Sequence, residues 1–114
     1  MATNWQKLYG PIVLPDTNPH DIVTAPANVS YLLTKFTLSN VTTSAATLTI
    51  SITPSGGAAA QFYQRTIPGY PTIGGIIEVS ELEGQILSPG DKITVTAGTG
   101  NAIAPMASGV AYTA

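Results

Sequence analysis

The chain has a single histidine, His20, and no cysteine, which narrows the chemistry open to it. His20 stands between Asp16 and Asp21, but it follows Asn18-Pro19, a turn-like pair. That setting describes a solvated loop histidine, since a metal site there would need several more donors. A thiol nucleophile is absent. A Ser/His/Asp arrangement would have to use His20, and no serine sits in a nucleophile-elbow pattern. Glu78, Glu81 and Glu83 form the one acidic cluster. Paired carboxylates can hydrolyse glycosides. Carboxylates clustered this way repel one another unless water separates them, which suits a solvated strand end and loop. Ser55-Gly56-Gly57 and Gly98-Thr99-Gly100 are glycine-rich, yet no Lys-Ser/Thr pair and no helix follows either, so neither cradles phosphate. The expectation is a protein without enzymatic activity, cofactor or metal.

Aromatic side chains offer recognition instead of catalysis. Tyr63 and Tyr70 flank a charge-poor loop and are placed to stack on sugar rings or on a protein partner. Trp5 is the one tryptophan. Three connections are long and nearly free of charge: residues 54–60, 67–75 and 98–106. Such loops are tolerated surface insertions, and they also carry binding residues on rigid scaffolds. The candidate interface is therefore Trp5, Tyr63, Tyr70, Ile73, Ile103 and Met106.

The elements that must position these residues show a period of two. In Ala46 to Thr53 apolar residues alternate with Thr or Ser, so Leu48, Ile50 and Ile52 share one face. Tyr31 to Ser39 places Leu32, Phe36 and Leu38 inward and Leu33, Lys35 and Thr37 outward, with Thr34 an imperfect inward member. Lys92 to Ala97 alternates again, through Ile93 and Val95. Weaker strands are expected at 8–14, 21–24, 61–66, 76–80, 85–87 and 107–113, with Ile77 and Val79 in the core. Gly84 ends the helix-friendly Ser80-Glu81-Leu82-Glu83 within one turn. Ser88-Pro89-Gly90-Asp91 has the residues of a type II turn. Many short strands with dense Gly and Pro predict an all-β chain, a single antiparallel β-sandwich (jelly-roll or Ig-like) of about eight or nine strands. One domain spans 1–114, with 1–7 as an extended N-terminal arm.

Of 114 residues, four are Lys or Arg and six are Asp or Glu, for a net charge of −2. Four scattered cations do not make a phosphate-binding patch, so nucleic acid is not an expected partner. No apolar run reaches the ~18 residues of a membrane-spanning helix, and residues 1–8 lack the pattern of a signal peptide. Absence of cysteine fits synthesis in a reducing cytoplasm. So few charges cannot guard all the edges of such a sandwich against further pairing. Permanent neighbours would cover them, which describes a subunit of an assembly.

The ordered series Leu8-Tyr9, Val23-Thr24-Ala25-Pro26-Ala27, Phe36-Thr37-Leu38-Ser39-Asn40, Thr47 to Thr53, Pro54-Ser55-Gly56-Gly57 and Leu87-Ser88-Pro89-Gly90-Asp91 resembles a group of small β-sandwich virion proteins of tailed bacteriophages. The resemblance covers most of the chain, and the loop 67–75 departs from its compact pattern. It implies a structural protein of the virion, in first place a capsid decoration or cement protein, in second a tail, neck or baseplate component. It implies a homo-oligomer, a trimer in first place, docked on other virion proteins such as the major capsid protein. A carbohydrate-binding adhesion module is the reading from a different class.

Overall fold

The computed structural model describes residues 2–10, 12–58, 60–69, 76–80 and 82–113. Nine strands form among them: β1 (Ala2–Tyr9), β2 (His20–Thr24), β3 (Val29–Asn40), β4 (Ala46–Thr53), β5 (Ala60–Ile67), β6 (Ile76–Glu78), β7 (Ile86–Leu87), β8 (Lys92–Ala97) and β9 (Ile103–Thr113). No helix occurs among the described residues. The strands make two antiparallel sheets. One has the order β1-β9-β3-β6, with β7 also on β3; the other has the order β2-β8-β4-β5. Side chains from both sheets meet in one hydrophobic cluster. The architecture is all-β and sandwich-like.

The two middle strands of the four-stranded sheet follow the alternation closely, and its register shifts fall in the edge pairings, at Asp21/Val23 of β2 and opposite Ile50/Ser51 on β5. Leu48, Ile50 and Ile52 of β4 lie opposite Ala97, Val95 and Ile93 of β8. All but the partly buried Ile52 are buried in the shared core. β-branched residues fit a pleated surface with one dry face, which is why the two strands begin and end where the pattern does.

The five-stranded sheet departs from strict alternation in two places. On β3, Leu33 pairs with Gly109 and Lys35 with Ser108, which leaves Thr34 as the extra residue of a bulge. A bulge shifts the register by one and exchanges the faces on its two sides. Leu33 and Phe36 are therefore both inward and fully buried. Leu32 is not the core residue that unbroken alternation makes it: it lies outward and half-buried. On β1, a second register shift falls between Lys7 and Tyr9, opposite Ser108 and Ala107. The two irregularities lie on either side of Ser108, next to Gly109. A Cβ on Gly109 would lie 2.5 Å from the Leu32 carbonyl oxygen and 3.0 Å from Leu8 Cδ1. Gly109→Ala should therefore lower the unfolding free energy by about 1–3 kcal/mol, the usual cost of overpacking, as read from a urea midpoint. An unchanged midpoint would show that the two bulges can relax around a methyl group.

Residues 2–9 are a paired edge strand on β9 in place of the extended arm expected over 1–7, and of the strand expected at 8–14 only Leu8 and Tyr9 are in a strand among the described residues. Gly10 has a φ of 52°, and Leu14 is buried in the core outside any strand, its N–H bonded to the Ile103 carbonyl at 2.8 Å and its carbonyl to Asn101 N–H at 2.9 Å. β9 begins at Ile103, four residues before the expected start, and so takes in Pro105. Proline is tolerated there because β1 pairs with residues 107–113 and does not reach this part of β9. After Glu78 the chain leaves the sheet and returns at Ile86. Gly84 N–H bonds the Leu33 carbonyl at 2.6 Å, and Val79 N–H bonds the Phe36 carbonyl at 2.9 Å, so both ends of the excursion hang on β3. The expected turn at Ser88–Asp91 is present: Gly90 has φ of 90° and Asp91 N–H bonds the Ser88 carbonyl at 3.0 Å. The Asp91 carboxylate accepts Ser88 N–H at 3.0 Å and Ser55 N–H at 2.8 Å, tying this turn to the loop after β4.

Candidate interaction surface

Residues directly opposite in paired strands share a face. Trp5 lies opposite Val110, Val110 opposite Leu32, and Leu32 opposite Ile86. Leu33 faces the core, so Leu32 and its partners face away from it. An apolar row thus crosses the outer face of the five-stranded sheet, one residue from each of β1, β9, β3 and β7. Its ends are open, with Trp5 74 % and Ile86 66 % exposed. Val110, flanked on both sides, is 2 % exposed although it is not part of the core cluster. Met106 and Tyr112 of β9 have the same parity as Val110 and stand on either side of the row. Apolar side chains gathered on one open sheet face mark an interaction surface more than scattered ones do.

Beside this row lies the charged part of the face. Lys7 is opposite Ser108, and Ser108 opposite Lys35. Lys35 Nζ donates to Glu78 Oε1 and lies 3.9 Å from Glu83 Oε2. Among the described residues no carboxylate pairs with Lys7. The Lys35 hydrogen bond holds the Glu78 carboxyl below its ordinary 4.5; Glu78 in turn raises Lys35 above 10.5. At the start of β2, in the other sheet, His20 Nε2 lies 2.7 Å from Asp16 Oδ1, which also accepts Asn18 N–H at 3.0 Å. These bonds, the His20 one first, hold Asp16 below 3.8.

The signs of these shifts set a stability profile. A carboxyl with a depressed folded pKa stabilises the fold above its ordinary value and ceases to as pH falls through the folded one. A raised lysine stabilises below its ordinary value and ceases to as pH rises through the folded one. Stability should be flat between 4.5 and 10.5 on account of these groups, falling on both sides. Glu78→Gln should shorten both limbs in urea titrations run across pH. Limbs identical to those of the unsubstituted chain would remove the Lys35–Glu78 pair from the account.

The expected interface residues divide. Trp5 and Met106 share the outer face of the five-stranded sheet. Tyr63 belongs to β5, at the edge of the other sheet; its ring packs on the core and its hydroxyl accepts from Arg65 Nη1 at 3.2 Å. Ile103 is corrected: it is fully buried as the first residue of β9, opposite Asn40, and offers no surface. The rule that placed it in a loop missed that β9 extends through Pro105. Tyr70 and Ile73 lie outside the described residues. No family profile matches this chain, and no curated protein matches it at a significant level.

The catalytic candidates do not converge. Asp16 is beside His20, whereas Asp21 accepts Thr94 Oγ1 at 3.0 Å and has Lys92 Nζ 3.6 Å away, on β8. Among the described residues no group of three or more His, Asp or Glu could hold a metal ion. Glu78 and Glu83 come together on Lys35, and Glu81 is not among the described residues. Of the charge-poor loops, 98–106 and the described start of 67–75 lie at one end: Val41 N–H bonds the Ala102 carbonyl at 2.8 Å, Asn101 N–H bonds the Leu14 carbonyl at 2.9 Å, and Gly69 abuts Thr43, whereas loop 54–60 is tied through Ser55 to Asp91 at the other end. Sequence reasoning missed Leu32, Val110 and Ile86 as neighbours on the outer face of the sheet. The signal available was Ile86 itself, an isoleucine whose neighbour Leu87 takes the inward position.

Proposed function

We propose that this chain is a non-enzymatic structural subunit of a tailed-phage virion, a decoration or cement protein that binds the capsid surface and stabilises the head. The observation that carries the reading is the strand order. β6 and β7 pair with the same strand in the same direction and count as one interrupted strand. The chain then has eight strands in the orders 1-8-3-6 and 2-7-4-5, the arrangement obtained by rolling up one long hairpin. That is the jelly-roll order, a double sheet that recurs in viral capsid domains and lectins.

A fold names no chemistry by itself, so the surface has to supply the rest. The surface supports assembly: few charges, an open apolar row, and polar groups engaged in turns and ladders. The glycan-binding reading has less support, because the Tyr63 ring is packed against the core and its hydroxyl is already bonded. The test is quantitative mass spectrometry of particles banded from a lysate that carries the gene. Hundreds of copies per particle are expected. A dozen or fewer would transfer the chain to the tail, neck or baseplate, and its absence from particles would reject the virion reading.

A further inference from the structure

We propose that the outer face of the five-stranded sheet is a homotypic interface, on which a second copy of this chain packs face to face about a two-fold axis parallel to the strands. The proposal deepens the reading of the chain as an assembly subunit by naming the surface and the symmetry of its self-association.

The face is complementary to itself under that rotation. A two-fold axis parallel to the strands, midway between two such faces, lays β1 of one copy over the β6–β7 edge of the other. The apolar row runs straight across the sheet, so its two open ends exchange partners. Trp5 of one copy comes over the partner's Ile86, and Val110 over the partner's Leu32. Large aromatic anchors seated on apolar neighbours carry much of the energy of such contacts. The charges obey the same operation. Lys7, without an acidic partner among the described residues, sits at the β1 edge. Glu78 and Glu83 sit at the opposite edge and share the single cation Lys35. That edge therefore carries one net negative charge, and the rotation sets it against Lys7. A parallel displacement of one copy would not produce this match, and neither would a two-fold axis perpendicular to the strands, which lays each strand over itself.

The face offers most of the area of a standard interface. β1, β9, β3, β6 and β7 supply 8, 11, 12, 3 and 2 residues to the sheet. At ~3.4 Å per residue and ~4.8 Å between strands, they present roughly 600 Å². A standard stable interface buries about 800 Å² on each partner. The outward turn of Leu32 completes the row, and it depends on the Thr34 bulge, so the same backbone irregularity that breaks the alternation builds the surface. An interface of this kind is isologous, and it closes with two copies. It gives a dimer where the resemblance to phage proteins implies a trimer.

The experiment is multi-angle light scattering of the full chain at micromolar concentration, with Trp5→Lys, Ile86→Lys and Lys7→Glu variants. Both apolar sites are open to solvent, so lysine there leaves the fold intact, which circular dichroism of each variant checks. The expected mass is twice 11.7 kDa for the unsubstituted chain. Each lysine variant should dissociate at least tenfold more readily. Lys7→Glu should do the same, and adding Glu83→Lys to it should restore the dimer. A monomer at 100-fold higher concentration, a trimeric mass, or a dimer indifferent to Trp5→Lys and Ile86→Lys would each overturn the proposal. The mass measurement needs no particle, so it judges the interface alone, while particle incorporation judges the virion reading alone.

Discussion

Truncating Leu33 to alanine should lower the unfolding free energy by about 2–5 kcal/mol, and truncating its neighbour Leu32 should cost less than half as much. Leu33 is fully buried and belongs to the core shared by both sheets. Removing its branched end leaves a cavity that the packed interior fills only in part. Leu32, one residue earlier, lies on the outer face with Val110 and Ile86 as its cross-strand neighbours. The comparison is best made in the Ile86→Lys background, so that self-association does not add to the Leu32 effect. Ile50→Ala should match Leu33→Ala, since Ile50 is equally buried at the centre of β4. A domain of this size has a net stability of roughly 5–15 kcal/mol, so either core truncation removes a large share of it. Equal costs at Leu32 and Leu33 would deny the Thr34 bulge, and a larger cost at Leu32 would reverse the register of β3.

A comparable loss is expected at Asn40, the one buried polar residue among the described core positions. Its side-chain amide donates to the Ser44 carbonyl at 2.8 Å and the Ile67 carbonyl at 3.1 Å. Its oxygen accepts Thr42 N–H at 3.0 Å and Thr42 Oγ1 at 2.7 Å. One side chain thus closes the β3–β4 turn and holds it to the end of β5. Asn40→Ala strands several of these groups away from water, and each buried orphan costs about 1–3 kcal/mol. Asn40→Asp should be worse at neutral pH, because a carboxylate oxygen replaces the amide and faces two carbonyl oxygens. Acidification should recover part of the loss as the carboxyl protonates and donates one bond. Urea midpoints of the two variants at neutral and acid pH read this directly. An Asp variant as stable as the unsubstituted chain at neutral pH would remove Asn40 from its linking role.

How far the fold was legible in the sequence differs strand by strand. β4 and β8 were readable to the residue, because both lie in mid-sheet with one dry face and pair with each other without a register shift. β3 was readable as a strand but not as a surface. A bulge adds one residue without changing composition, and no local pattern reveals where it falls. β9 was truncated by a proline that is harmful only where a strand is paired on both sides. These two misreadings removed Leu32 from the surface and put Ile103 on it. Trp5 and Met106 were legible as candidates because exposed apolar residues in charge-poor segments stand out. Their connection through Val110, Leu32 and Ile86 was not, since it exists only across four strands.

A cryo-electron microscopy map of particles banded from a lysate that carries the gene tests the central claim most directly. The account predicts two-sheet density of this fold on the outside of the capsid, in hundreds of copies, with no bound substrate or metal. Complete heads on which no such density can be placed, in particles from which the chain is absent, would contradict it.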